Sequence, residues 1–352
     1  MTGDSLFSLP VIRSLREAHP NSNITMVVSP RGYDLYRVSD SRFGVDTLIS
    51  YDFYHPKFAQ WSTRRKLNGR RFDAVFFLDT DLGYLNFFKE NISSPNWYRM
   101  VTTRDQLGGV QIVQNSVGET AHICDQYLQL VEAYGVTPVR SYSIPLSPRS
   151  RHKADVFRKR LKLGARKVVG LHWGNHSKNT NILFPKETFD GRAWSMDSYV
   201  QLATQLMAVH PDTVFILTGG AYERPLVRQL HKKMTQAGVA SINLASKTND
   251  LVSLLGLLSI LDLFVVGDTG PMHLASAVGV NTAALFFATS PMDTGPYNSR
   301  NSLTIQSPIP CAPCLNTPHS FRCPEGANCV QLLTSDAVHL AISSRFDWSG
   351  QC

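Results

Sequence analysis

The sequence predicts an α/β protein of two doubly wound domains with parallel sheets, facing one another across a cleft. Three observations predict it. Short β-branched or aromatic runs alternate with longer stretches of helical periodicity, the pattern of strand–helix–strand units that build parallel sheets. The chain has 352 residues, 43% hydrophobic and 18% charged, enough apolar material for buried cores at a length where two domains are expected. Between Ile144 and Lys167 the pattern is interrupted by Pro145, Pro148 and a basic stretch, which divides a first domain over residues 1–150 from a second over 151–352.

In the first domain, helices are expected at Leu6 to Glu17 and Ala121 to Tyr134, and buried strands at Ile24 to Val28, Thr47 to Ser50 and Ala74 to Leu78. The helix comes before the strand. A doubly wound domain normally opens with a strand that delivers the chain to its first loop, so this one is expected to lack its first strand. In the second domain, Val168 to Trp173, Val214 to Thr218, Leu263 to Val266 and Ala283 to Phe287 are strand-like. Between them Met196 to Val209, Glu223 to Ala237, Asp250 to Leu261 and Met272 to Val278 carry apolar residues at helical spacing, most of them opened by a polar or Gly/Pro signal. The second domain is therefore Rossmann-like. Ligands of such sheets sit outside the carboxyl ends of the strands, which directs attention to the residues just after each strand.

The sharpest motif is Val265-Val266-Gly267-Asp268-Thr269-Gly270-Pro271-Met272-His273-Leu274-Ala275, a buried strand running through Asp-Thr-Gly directly into a helix. The N–H groups and dipole of that helix make a ready phosphate site. Thr269 adds a hydroxyl, Gly270 permits close backbone approach, and Pro271 suits a first helical position because its missing N–H would be unpaired anyway. His273 falls within the first turn. The alternative is that Asp268 or Thr269 only caps the helix and His273 packs. A second loop, Gly219-Gly220-Ala221-Tyr222-Glu223-Arg224, again puts glycines and a helix start at a strand end; Glu223 is either a carboxylate for ribose hydroxyls or an ordinary first-turn acid. After the first strand of this domain, His172, Trp173, Gly174 and Asn175 can line the same pocket, and Lys178, Lys186 or Arg192 can offer a cation to a diphosphate; spacing does not choose among them.

These residues resemble a known family, the bacterial glycosyltransferases of family 9, with the ADP-heptose:lipopolysaccharide heptosyltransferases among its members. The similarity covers nearly the whole chain. Gly3-Asp4-Ser5-Leu6-Phe7-Ser8-Leu9-Pro10, then Leu15-Arg16 and His19-Pro20, resembles the opening Gly-Asp loop and first helix. Asp268 to Ala275, with Gly279, Ser290-Pro291 and Gly295-Pro296, resembles the C-terminal signature, and Gly219-Gly220 with Glu223 and Arg192-Ala193-Trp194 fit intermediate landmarks. The resemblance implies a GT-B fold and inverting, metal-independent transfer of a sugar, heptose from ADP-heptose, to a lipopolysaccharide-core or related glycan. It implies Asp4 as general base on the acceptor hydroxyl, Thr269 and Gly270 on the diphosphate, Asp268 near the transferred sugar, His273 in the same donor loop, Glu223 on the ribose and Arg192 at the phosphates. Family members have a strand before the Gly-Asp loop, and here Met1 and Thr2 precede it. That implies either a start truncated relative to the functional product or an Asp4 on a frayed end with impaired catalysis. Asp4 also has a plain reading as a helix N-cap.

Other readings compete. Asp79-Thr80-Asp81 after an apolar strand has the Asp-x-Asp form with which GT-A enzymes hold a divalent cation, and is equally the form of a turn. Cys311, Cys314, Cys323 and Cys329 crowd one late segment at spacings that suit a structural zinc or iron site, with reduced thiols or a disulfide as the alternative. The formal charge of +8 is local: between Arg149 and Lys167 nine cations face one acid, Asp155. That stretch, and Arg64-Arg65-Lys66 with Arg70-Arg71, either attract an anionic acceptor or the inner membrane surface, or are solvated helix faces. An evenly basic nucleic-acid binder is not indicated. The most apolar run, Leu251 to Val266, is shorter than a membrane span, and the N-terminus lacks the basic flank of a signal segment, so a cytoplasmic protein is expected, and the resemblance implies a bacterial one. The non-enzyme alternative is a catalytically impaired GT-B-like protein that binds nucleotide-sugar or serves as a scaffold.

Overall fold

A computed structural model describes residues 2–38, 42–52, 56–79, 81–101, 111–114, 121–173, 194–248, 250–314 and 328–346. The chain divides into two compact units, Met1–Tyr142 and Ser143–Cys352, and every strand pairing in both is parallel.

The first unit opens with two short helices, Thr2–Phe7 and Leu9–Ala18. The single helix expected from Leu6 is broken because Pro10 has no N–H to bond to the Leu6 carbonyl. Strands β1 (Thr25–Val28) and β2 (Thr47–Ser50) form one sheet; β3 (Ala74–Phe77), β4 (Asn96–Val101) and β5 (Gln111–Gln114) form another. Helices Pro30–Arg37, Pro56–Leu67, Leu82–Asn91 and Ile123–Ala133 connect and cover them. The Ser29 hydroxyl accepts from the Gly32 N–H and Pro30 opens the helix that follows, a start signal of the ordinary kind. On their other edges β1 and β3 pair with no strand among the described residues, and both line a cavity of about 990 Å³.

The second unit is a six-stranded sheet of β6 (Val168–His172), β7 (Val214–Thr218), β8 (Ser241–Asn243), β9 (Leu263–Gly267), β10 (Thr282–Phe286) and β11 (Ser302–Gln306), in the order β11-β10-β9-β6-β7-β8. Every residue of β6, β7, β9 and β10 is buried, which is why these strands read as near-continuous apolar runs without alternation. Helices Met196–Val209, Arg224–Gln236, Leu251–Leu258 and Gly270–Val278 cross between strands, and Asn328–Leu332 and Ser335–Phe346 close the unit. Leu171, Trp194, Leu202, Phe215, Leu230, Val265 and Leu285 belong to one continuous core. The basic stretch forms the helix Pro148–Arg160. It buries Ala154 and leaves Arg151, Lys153, Arg158, Lys159 and Arg160 in solvent. It packs closely on Leu251–Leu258, where a Cβ on Gly256 would lie 2.6 Å from the Ser150 carbonyl.

Candidate active site

In the second unit β6 lies between β9 and β7, with His172 in register with both Val266 and Thr218. The chain leaves β6 toward β7 and leaves β9 toward β10, so the order reverses between β6 and β9. The carboxyl ends of these two strands flank the switch point where open α/β sheets bind ligands. Asp268, Thr269 and Gly270 follow β9, and Trp173 follows β6.

Thr269 is the N-cap of the helix Gly270–Val278, in extended conformation, and gives that helix no side-chain cap. Its hydroxyl instead donates to the Gly267 carbonyl at 3.3 Å. The helix start is thus not closed off by the Thr269 side chain. Pro271 stands in the first turn, and Gly279, at φ 84°, ends the helix in the left-handed conformation. His273 is buried on the same helix with its Nε2 3.9 Å from Asp268 Oδ1, and the Asp268 side chain is 12% exposed. A carboxylate and an imidazole are therefore held together at the mouth of the strand.

The neighbouring loop is built around Gly219 and Glu223. The Gly220 N–H donates to Glu223 Oε2 at 2.6 Å, folding the loop back on its own acid. A Cβ on Gly219 would come within 2.9 Å of Val227 Cγ2, so only glycine fits there without displacement. Glu223 is the N-cap residue of Arg224–Gln236 but makes no side-chain cap bond to it.

Behind these loops stands a buried polar layer in which His172, expected from the sequence to line the pocket, meets Thr218 and Tyr199, which sequence reasoning did not single out. His172 Nδ1 and the Thr218 hydroxyl are 2.9 Å apart, and the Tyr199 hydroxyl donates to the His172 carbonyl at 3.1 Å. Burial lowers the His172 pKa from its ordinary value, with Glu223 pulling the other way, and burial raises that of Tyr199. Trp173 is buried in the core: its indole N–H donates to the Trp194 carbonyl at 2.7 Å, and the Trp194 indole donates to the Leu333 carbonyl at 2.8 Å. The two indoles in series thus link the end of β6, through Trp194, to Leu333 between the terminal helices. The sequence offered His172 as a pocket-lining candidate, but its contact with Thr218, another polar residue closing an apolar strand, was not expected.

In the first unit, Asp4 lies within the helix Thr2–Phe7, not at its N-cap. That helix is anchored from below: the Tyr36 hydroxyl donates to the Ser5 carbonyl at 3.1 Å and is 2.8 Å from the Ser8 hydroxyl. Asp79 and Asp81 serve a turn, since Asp81 Oδ1 caps the next helix at Tyr84 N and Asp79 Oδ1 accepts from Asp81 N. Arg192, Gly174, Asn175, Lys178 and Lys186 lie outside the described residues, as does Cys323. Among the described residues no group of three or more His, Cys, Asp or Glu is placed to hold a metal. Cys314 and Cys329 are tethered at the same end of the sheet: the Cys314 N–H donates to the Ala288 carbonyl at 2.9 Å, and the Ser307 hydroxyl to the Cys329 carbonyl at 2.6 Å. No described helix is long and apolar enough to cross a membrane.

The structure therefore brings Asp268, Thr269, Gly270, Pro271, His273, Gly219, Gly220 and Glu223 to one end of one sheet. Comparison with known proteins shows the family and the fold. The family model for glycosyltransferase family 9 (heptosyltransferase) matches residues 110–324, well over half of the chain. The lipopolysaccharide core heptosyltransferase OpsX of Haemophilus influenzae is 22% identical over 315 residues, 86% of this chain and 80% of that protein. Lipooligosaccharide heptosyltransferase 2 of Campylobacter jejuni is 26% identical over 124 residues; that match spans 35% of this chain and 38% of the relative's length. Among solved structures, a family 9 glycosyl transferase from Veillonella parvula aligns over 98% of this chain and 94% of its own at 18% identity, with a TM-score of 0.78. The E. coli heptosyltransferase WaaC with ADP aligns over 98% and 97% at 16% identity, with a TM-score of 0.70. At these identities the structural likeness shows a shared fold.

Proposed function

The chain belongs to glycosyltransferase family 9, and on that footing we propose that it is an inverting, metal-independent enzyme moving a sugar from a nucleotide diphosphate donor to a hydroxyl of an anionic glycan. The donor is ADP-heptose and the acceptor a lipopolysaccharide core or a close relative of it. Support for donor and acceptor comes from the relatives, which are named as core heptosyltransferases and include one solved with ADP. The second unit is the donor domain and the first the acceptor domain.

The observation that carries this reading is the Asp268-Thr269-Gly270 turn at the strand-order reversal, opening a helix that Thr269 leaves without a side-chain cap. In the reaction the acceptor O–H gives its proton to the Asp4 carboxylate while its oxygen bonds the anomeric carbon. The bond from that carbon to the diphosphate oxygen breaks with inversion, and the nucleoside diphosphate leaves with the electron pair. An acceptor hydroxyl is a poor nucleophile near neutral pH, and a positioned base is worth about 10² to 10⁴ in rate. Charge growing on the leaving diphosphate meets the N–H groups at the start of Gly270–Val278, where electrostatic stabilisation has most leverage. Asp268, held beside His273, stands near the transferred sugar; Glu223 and the Gly219-Gly220 loop take the ribose; the phosphate role of Arg192 rests on the family resemblance alone.

The test is thermal stabilisation of the purified protein by ADP-, UDP- and GDP-sugars, followed by transfer assays in the presence of a chelator. A rise in melting temperature with ADP-heptose and unchanged transfer in chelator are expected. No shift with any of the three donor classes contradicts the reading.

A further inference from the structure

The helix Pro56–Leu67 carries a face that the proposed reaction does not use. Its inward stripe is Ala59, Thr63 and Leu67, spaced four residues apart and all buried. Ala59 packs with Tyr51 and Phe87. On the opposite face, Phe58 is 69% and Trp61 60% exposed, with ring centroids 6.1 Å apart. The other tryptophans among the described residues, Trp97, Trp173 and Trp194, are all buried. Arg65, four residues after Trp61, lies on the same outer face and is exposed. From residue 56 to residue 71 there are six cations and no Asp or Glu.

We infer that this outer face is a docking surface for an anionic lipid bilayer, with Phe58 and Trp61 entering the headgroup region and the surrounding cations resting on lipid phosphates. Two adjacent large rings held in water are unfavourable, and at a bilayer interface the same rings find an environment that is apolar on one side and wet on the other. An acid-free run of Lys and Arg around them supplies attraction to a negatively charged leaflet, which falls off within a Debye length. The helix is short and lies flat against its own unit through Ala59, Thr63 and Leu67, so it offers an interfacial contact and not a span. A soluble polyanion would be bound by the cations alone. The crown of two aromatic side chains is what favours a lipid surface over one.

The measurement is co-sedimentation of the full chain with vesicles of phosphatidylcholine alone and of phosphatidylcholine with phosphatidylglycerol, together with quenching of tryptophan fluorescence by lipids brominated near the headgroup. Binding to the anionic vesicles only, weakened by salt and accompanied by quenching, is expected. F58S/W61S should raise the lipid concentration for half-binding at least tenfold and abolish the quenching, while melting temperature and transfer to a soluble acceptor fragment stay unchanged because both side chains are exposed. Equal partition onto neutral vesicles, unchanged binding by F58S/W61S, or retention on heparin without any quenching by lipid overturns the inference. None of these outcomes bears on donor binding.

Discussion

Asp268 and His273 face each other across the first turn of one helix, with Oδ1 and Nε2 3.9 Å apart and the imidazole buried. The pair holds a carboxylate at the carboxyl end of β9, with the Asp268 side chain 12% exposed. Replacing Asp268 by Asn keeps the shape and removes the charge. Under the proposed reaction D268N lowers the transfer rate about 10²-fold with modest change in donor affinity. H273Q, which loosens the carboxylate without removing it, costs about tenfold, equivalent to roughly 1.4 kcal/mol. Steady-state kinetics on both variants check this; equal rates in D268N and the native protein remove Asp268 from the site.

The pair behind the site makes stability depend on pH. Burial holds the His172 pKa below its ordinary 6.5 in the folded protein. Below that ordinary value the unfolded chain binds the proton that the folded chain refuses. Stability is therefore full above about pH 6.5, is lost as the pH falls toward the lowered folded value, and levels off beneath it. Melting curves from about pH 8 down to about pH 5 should show the loss, and H172Q should flatten it. T218V, which strands the His172 Nδ1 atom, should cost about 1–3 kcal/mol at neutral pH.

The two glycines of the second loop are not equivalent. An added methyl at Gly219 meets Val227 Cγ2 at 2.9 Å, whereas one at Gly220 meets Glu223 Oε2 at 3.5 Å, an ordinary contact. G219A is expected to destabilise by about 1–3 kcal/mol and to weaken donor binding, since the loop must move. G220A should stay within about 0.5 kcal/mol of the native protein. Denaturant melts of the two variants distinguish these outcomes.

Local stability should differ between the units. Strands β9 and β10 are wholly buried, whereas β1 and β3 are mostly half-buried and line a cavity of about 990 Å³. Amide exchange should accordingly be faster in β1 and β3 than in β9 and β10. Uniform protection across the four strands would contradict this ordering.

Much of the second unit was legible because its strands are buried on both faces: Val214–Thr218 and Leu263–Gly267 are apolar runs that no solvent-facing position interrupts. The Asp268-Thr269-Gly270 turn was legible for a related reason, since Gly, Pro and a helical period follow directly on such a run. The first unit was harder. In β4, Asn96 and Arg99 punctuate Trp97, Tyr98 and Met100, and Arg99 is buried, so neither alternation nor an apolar run appears. In β5 only Ile112 and Val113 are apolar, too few to signal a strand. The buried fate of Trp173 was hidden as well, because its indole bonds the carbonyl of Trp194, 21 residues further along the chain. The His172–Thr218 contact depends on the lateral register of β6 against β7, which no local pattern encodes.

Everything proposed for the reaction requires the Asp268-Thr269-Gly270 turn to grip the donor's diphosphate. A crystal structure of the protein with ADP decides it. The diphosphate oxygens should lie within hydrogen-bonding distance of the Thr269 hydroxyl and the backbone N–H groups at the start of Gly270–Val278. Nucleotide bound elsewhere, with that turn filled by the protein's own side chains, would refute the assignment.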